Sequence, residues 1–151
     1  MGIDKQKELL TSFRQRCQEH GLKVTPKRVL IYEQLINSLD HPSPEALFRR
    51  IREKAPRISL DTVYRTLATF HDMGLVDMVE GFALTKRFDP NQDNHHHARC
   101  IRCQAILDFE SPDYDHLKIP ASIRKAFNVQ RVRVTIEGLC QNCQSAESKG
   151  E

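Results

Sequence analysis

The sequence has no long apolar run. Its longest, Val29-Leu30-Ile31-Tyr32, is far short of the roughly 20 residues that a membrane-spanning helix needs, and no membrane partner is expected. The stretch Met1-Gly2-Ile3-Asp4-Lys5-Gln6 has no apolar region of the kind found in a secretory signal. A cytoplasmic chain is the expectation, in a compartment that keeps thiols reduced. No charge sign dominates either: 23 Lys and Arg stand against 20 Asp and Glu, a formal net of +3. That surplus neither demands nor excludes nucleic acid. There is no low-complexity tract and no internal repeat beyond two Cys-x-x-Cys pairs. The His-Glu-x-x-His helix of metalloproteases and the Gly-x-Ser-x-Gly nucleophile turn are both missing. No motif therefore supports a metalloenzyme, and an enzyme is not expected.

What is present reads as a globular protein, 39% hydrophobic and 28% charged over 151 residues. That length suits one ordinary domain or two small ones. Two halves of about 70 residues would each need a staple such as a metal or a partner chain. The distribution of residues favours two halves. Residues 1–65 carry 13 basic and 8 acidic side chains, whereas residues 91–151 carry 8 of each. Cys100, Cys103, Cys140 and Cys143 all lie in the last third, and His95, His96 and His97 come just before them. The polar segment Asp89-Pro90-Asn91-Gln92-Asp93-Asn94 is turn-forming and marks the joint. The division expected is residues 1–88, a hinge at 89–94, and residues 95–151.

The first part reads as four helices and a hairpin. Leu9, Leu10, Phe13 and Cys17 recur at helical spacing up to Gly21. Cys17 is read as a buried helix residue, and His20 and His71 as surface residues near helix ends. Thr25-Pro26 and Ser43-Pro44 are helix starts, a cap followed by proline. Ser59 caps a fourth helix whose stripe is Leu60, Val63, Leu67 and Phe70, with Gly74 as its stop. Val76 to Val79 and Phe82 to Phe88, joined at Glu80-Gly81, read as a hairpin. Helices followed by a hairpin are the layout of a winged helix, whose last helix enters the major groove of DNA. With the stripe buried, Thr62, Arg65, Thr66 and Thr69 share the opposite face and Tyr64 flanks it. Arg can read guanine edges and hydroxyls can hold phosphates. An ordinary amphipathic surface helix fits the same pattern. Lys23, Lys27 and Arg28 stand at a helix N-terminus, which also attracts phosphate. Lys86 and Arg87 are either phosphate contacts from the wing or solvated.

The second part reads as α+β. Strands are expected at His97 to Ile101, at Ala105 to Phe109 and around Val132, Val134 and Ile136, with a short helix at Pro120 to Phe127. Cys100-x-x-Cys103 and Cys140-x-x-Cys143 each bring two thiolates to a tight turn. Four thiolates in a tetrahedron suit a structural Zn²⁺. Disulfides and an iron–sulfur centre are the other readings. Reduced thiols weigh against the first, and a redox pair would need only one Cys-x-x-Cys. His95 and His97 point to one side of an extended chain, and His96 points away. Asp89 lies six residues before His95, and Asp108 eleven after His97. Imidazoles with carboxylates suit Zn²⁺, Fe²⁺ or Mn²⁺; a solvated polar loop is the alternative.

At this point the chain resembles the ferric uptake regulator (Fur) superfamily, and within it the peroxide-stress regulators of the PerR type. The resemblance spans roughly residues 8–145. It rests on Gly21-Leu22-Lys23-Val24-Thr25-Pro26-Lys27-Arg28, His41-Pro42-Ser43, Asp61-Thr62-Val63-Tyr64-Arg65-Thr66-Leu67 and Lys86-Arg87-Phe88-Asp89. His95-His96-His97-Ala98-Arg99-Cys100-Ile101-Arg102-Cys103 and Cys140-Gln141-Asn142-Cys143 complete it. The resemblance implies a homodimeric, metal-dependent repressor of operator DNA. Its fold would be a winged-helix DNA-binding domain followed by a small α/β dimerisation domain with a four-cysteine zinc site. The implied regulatory ligands for Fe²⁺ or Mn²⁺ are His41, Asp89, His95, His97 and Asp108; His41 enters only through the resemblance. Asp at 89 and 108 is the PerR-type choice, where Fur-type iron sensors usually carry Glu. It implies that peroxide is the signal and that His41 and His95 are the oxidation-sensitive ligands. No other small molecule is expected. Arg65 is instead the Fur-like choice, which keeps a Fur-type iron-uptake or other metal-responsive repressor as the alternative. The family's further metal-binding His has no counterpart in Gln130-Arg131-Val132-Arg133. His96, Asp115 and His116 remain as a weak extra metal site or as solvated surface.

Overall fold

The structure is a computed structural model and describes residues 2–79 and 86–150. Two compact units emerge, Met1–Gln92 and Asp93–Glu151.

The first unit holds α1 (Ile3–Glu19), α2 (Pro26–Ile36), α3 (Pro44–Ile51) and α4 (Leu60–Asp72). Three of the four start as their sequence signals predict. The side chains of Thr25, Ser43 and Ser59 accept hydrogen bonds from the amides of Arg28, Ala46 and Thr62, which satisfies donors that a helix start leaves bare. Gly21 and Gly74 follow α1 and α4 with φ of 64° and 68°, a left-handed form that glycine adopts without steric cost. The apolar stripes meet in one core. Phe13 stacks on Tyr32 with ring centroids 4.6 Å apart, and Phe70 meets both rings edge-on. Cys17 lies fully buried among them, as a helix residue should. β1 (Asp77–Met78) pairs antiparallel with β2 (Phe88–Asp89), with Asp77 opposite Asp89. The amide of Val79 extends that pairing to the carbonyl of Arg87. The rest of the expected second strand, residues 82–85, and the turn at 80–81 lie outside the described residues.

The second unit is a three-stranded sheet of order β4-β3-β5. β3 (His96–Cys100) runs antiparallel to β4 (Ile106–Phe109) and parallel to β5 (Thr135–Gly138). Between β4 and β5 come α5 (Pro112–Asp115) and α6 (Ala121–Ala126). Beyond β5, α7 (Gln141–Ser148) opens at Cys140; no cap residue announces it, and sequence reasoning misses it. β5 starts later than the expected Val132. The Val134 amide donates to the ring of His96 at 3.0 Å instead of joining a ladder.

The interiors of the two units differ in kind. The clustered hydrophobic core is made of residues from 13 to 88. In the second unit, every buried residue among those described is a histidine or a cysteine: His95, His96, His97, Cys100 and Cys143. Its large apolar side chains, Leu107, Ile123, Phe127 and Ile136, are exposed instead. Among the described residues no helix is long and apolar enough to cross a membrane.

Candidate metal centres and nucleic-acid interface

The turn after β3 and the start of α7 bring the four cysteines together. Their sulfurs lie within 4.8 Å of one another, and none is in a disulfide. Sulfurs bound about 2.3 Å from a tetrahedral zinc stand about 3.8 Å apart, and Cys103 Sγ and Cys140 Sγ are 3.7 Å apart. A disulfide would need about 2.05 Å. Backbone amides of Cys140 and Cys103 directed at the Cys100 sulfur pull that thiol down to about 6. Burial and the surrounding sulfurs push Cys143 up to about 12. A thiolate is therefore welcome at Cys100, and one at Cys143 calls for a divalent cation. The donor set, the spacing and the electrostatics all fit zinc. Arg102, inside the first Cys-x-x-Cys, donates to the carbonyl of Cys143 at 3.2 Å and pairs with Glu147 of α7. Sequence spacing does not single it out, because its partners are more than forty residues away.

The second unit also carries a pair of converging imidazoles. The Nε2 atoms of His95 and His97 are 3.0 Å apart. His95 Nδ1 donates to the Asp93 carbonyl at 2.7 Å; that acceptor needs a proton on Nδ1, which puts the ring's lone pair on Nε2, the nitrogen a metal would take. Two nitrogens about 2.1 Å from one ion and at right angles to each other stand about 3.0 Å apart. Asp108 faces His97 directly across the β3–β4 ladder, and its Oδ1 is 3.3 Å from His97 Nε2. Antiparallel register, invisible in the one-dimensional spacing, thus sets the two ligand types side by side. In the first unit, His41 and Asp89 are both buried, and His41 Nδ1 is 3.7 Å from Asp89 Oδ1. Asp89 sits at the end of β2, and His41 in the turn between α2 and α3. In each unit the donor types, imidazole and carboxylate, suit Zn²⁺, Fe²⁺ or Mn²⁺.

His96 departs from the solvated-surface reading of the sequence. It is 0% exposed, so it is not a surface residue. Its Nδ1 accepts from the Val134 amide and its Nε2 donates to Asp115 Oδ1 at 2.8 Å. Asn94 donates to the same oxygen at 2.5 Å. His116 is exposed, and its Nδ1 bonds the Pro112 carbonyl instead. His96 and Asp115 are thus engaged as a hydrogen-bonded staple joining β3, α5 and the start of β5. No group of three metal-binding side chains comes together at His96, Asp115 and His116 among the described residues.

On α4 the exposed face is Asp61, Tyr64, Arg65 and Ala68. Thr66, expected on that face, is buried at 8% exposure, and Thr62 and Thr69 are half-buried. A wide helix–core contact, broader than the four-residue stripe, takes in Thr66. Arg65 Nε lies 2.9 Å from Asp61 Oδ2, and the Tyr64 hydroxyl donates to Glu45 on α3. Lys23 and Lys27 are exposed. Arg28 is half-buried, and one of its terminal nitrogens donates to the Lys23 carbonyl at 2.6 Å. Arg87, read from sequence as a phosphate contact or a solvated residue, is half-buried and grips the carbonyls of Asp40 and His41.

The ferric uptake regulator family model matches residues 19–137. The chain is 35% identical over 130 residues to the peroxide operon regulator of Bacillus subtilis (strain 168), covering 86% of this chain and 90% of that protein. Its structure is similar to that of the Helicobacter pylori ferric uptake regulator, which has three functional metal-binding sites, with a TM-score of 0.72 at 22% identity over 92% and 93% of the two chains. At that identity the likeness is one of fold. It is also similar to PerR from Streptococcus pyogenes, a protein of peroxide sensing and gene regulation, with a TM-score of 0.52 at 27% identity over 90% and 93% of the chains.

Proposed function

The chain belongs to the ferric uptake regulator family of transcriptional regulators, and from that premise we propose that it is a cytoplasmic, metal-dependent repressor of operator DNA that senses hydrogen peroxide. The observation that carries this reading is the imidazole–carboxylate group of β3 and β4, with His95 and His97 converging and Asp108 opposite His97. The second half of the centre would come from His41 and Asp89 in the other unit. An ion bound by all five would hold the hinge at 89–94 in one arrangement, and its loss would release it. Bound Fe²⁺ would catalyse the transfer of one oxygen atom from hydrogen peroxide to a neighbouring imidazole; the imidazole loses two electrons, the peroxide is reduced to water, and the iron is not consumed. The chain's part is to hold His41 and His95 as the ligands exposed to that chemistry. Asp at both carboxylate positions and the likeness to the peroxide operon regulator support the peroxide reading.

Zinc in the four-sulfur cluster would be structural. Homodimerisation would cover the exposed Leu107, Ile123, Phe127 and Ile136 of the second unit, since a large apolar surface left in water marks an interface. DNA contact is assigned to Tyr64 and Arg65 on the exposed face of α4, to Thr62 at its start, and to Lys23, Lys27 and Arg28; Thr66, buried in the helix packing, would support rather than touch. Arg65→Ala is expected to weaken operator binding by about 1–3 kcal/mol and to relax preference at one base position. Binding measured on operators altered one base at a time checks this.

The decisive experiment loads the protein with Fe²⁺, adds one equivalent of hydrogen peroxide, and measures peptide masses and operator binding together. The expected outcome is one added oxygen on the peptide with His41 or His95, and DNA release. Unmodified peptides with DNA still bound would instead favour a Fur-type metal sensor, the reading to which Arg65 points.

A further inference from the structure

The turn that carries His41 has an unfavourable backbone and an unusual set of restraints. His41 has φ of 47°, a left-handed conformation that a residue with a Cβ disfavours, and it is only 3% exposed. Two arginines from different elements hold the turn. Arg50, near the end of α3, forks onto both carboxylate oxygens of Asp40, at 3.0 and 2.5 Å, and reaches Ser38 Oγ at 2.9 Å. Arg87, next to β2, donates from Nε to the His41 carbonyl and from a terminal nitrogen to the Asp40 carbonyl. The Phe88 amide adds a bond to the Pro42 carbonyl at 3.4 Å. The fork from Arg50 holds the Asp40 carboxyl below its usual range, so it stays an acceptor. The strand that carries Asp89 therefore also grips the turn that carries His41, and the two side chains meet at 3.7 Å.

We propose that Arg50 and Arg87 are positioning residues for the regulatory centre, locking the Ser38–Pro42 turn in the left-handed form that aims His41 at Asp89 before a metal binds. The proposal rests on the reading of His41 and Asp89 as ligands. It also gives the centre a link to the helix assigned to DNA. α3 supplies Arg50, and through Glu45 it holds Tyr64 of α4. Groups that orient ligands rather than bind metal typically change metal affinity about 10–100-fold when removed.

The test uses the full zinc-loaded chain and Mn²⁺ as the probe, with free Mn²⁺ read by electron paramagnetic resonance. Arg50→Gln and Arg87→Lys are each expected to weaken Mn²⁺ binding about tenfold, with zinc content and melting temperature close to the parent. Arg50 is partly exposed, so its variant should fold even if the Arg87 variant does not. In a His41→Ala background, Arg50→Gln should cost nothing further, since the clamp acts through His41. Hydrogen exchange of segment 38–43 in the protein without Mn²⁺ should be faster in Arg50→Gln. Parent-like Mn²⁺ binding in Arg50→Gln, or an equal loss with and without His41, overturns the proposal. If His41→Ala itself leaves Mn²⁺ binding unchanged, it is the ligand reading that fails. The exchange rate then decides the clamp on its own, and an unchanged rate overturns it.

Discussion

A Cys143→Ser protein is expected to lose its zinc and the fold of its second unit while the first unit stays helical. The reason is the make-up of that unit's interior. Its buried side chains are histidines and cysteines, and no cluster of buried aliphatic residues stands behind them among the described residues. Small units of this kind fold only with a staple, and a structural zinc supplies on the order of 10–16 kcal/mol at neutral pH. Cys143 also lies with the sulfurs of the turn after β3, at the end of the sheet where the parallel β3 and β5 both finish, so its loss would loosen α7 and that end together. The first unit keeps its own core around Phe13, Tyr32 and Phe70 and does not depend on the metal. Elemental analysis, circular dichroism and limited trypsin digestion read the result: no zinc, most helix retained, and rapid cleavage after Arg102 and Arg124. Zinc at one ion per chain with a protease-resistant second unit would refute it. Acid should act in the same direction, because protons compete with zinc for thiolates. Zinc is therefore expected to be held at high pH and released as pH falls, and Cys100, whose thiol is pulled down to about 6, regains its proton only on the acid side of the ordinary thiol range.

His97→Ala should remove the response of DNA binding to regulatory metal while sparing zinc and fold. His97 holds a central place in the proposed centre: its ring faces His95, just before its own strand, and Asp108 on the next. Specific operator binding exceeds non-specific binding by about 10³-fold or more, and driving a two-state hinge from 1:99 to 99:1 takes about 10⁴-fold tighter metal binding to one state. With one central imidazole gone, that differential collapses. Operator affinity with and without Mn²⁺, measured at a fixed salt concentration, should differ by about 10³-fold for the parent and hardly at all for the variant. A variant that still tightens on DNA when Mn²⁺ is added would sink the site. Zinc content near the parent's excludes simple misfolding as the cause.

Both expectations draw on features that are unequally visible in the sequence. The helices of the first unit follow from local chemistry, since caps such as Thr25, Ser43 and Ser59 and apolar periodicity act over a few residues. The four cysteines are equally plain, because Cys-x-x-Cys puts two ligands on one turn wherever it occurs. His41 is not visible from spacing, because its partner Asp89 is 48 positions away and only the pairing of β2 with the turn brings them together. His96 reads wrongly as surface because alternation in a strand says which face a residue takes, not whether that face is covered. Thr66 misleads for the same reason on a helix.

Alone, then, the sequence determined the helical first unit, the sulfur donor set, the histidine run and the family. Its local signals reach about one turn of helix or one strand. The tertiary structure decided which distant groups meet: Asp108 with His97 through antiparallel register, His96 with Asp115 as a buried hydrogen-bonded pair, and Arg50 and Arg87 on the His41 turn. Those contacts depend on loop closure and burial between segments far apart in the chain, and neither is written in any one stretch of residues.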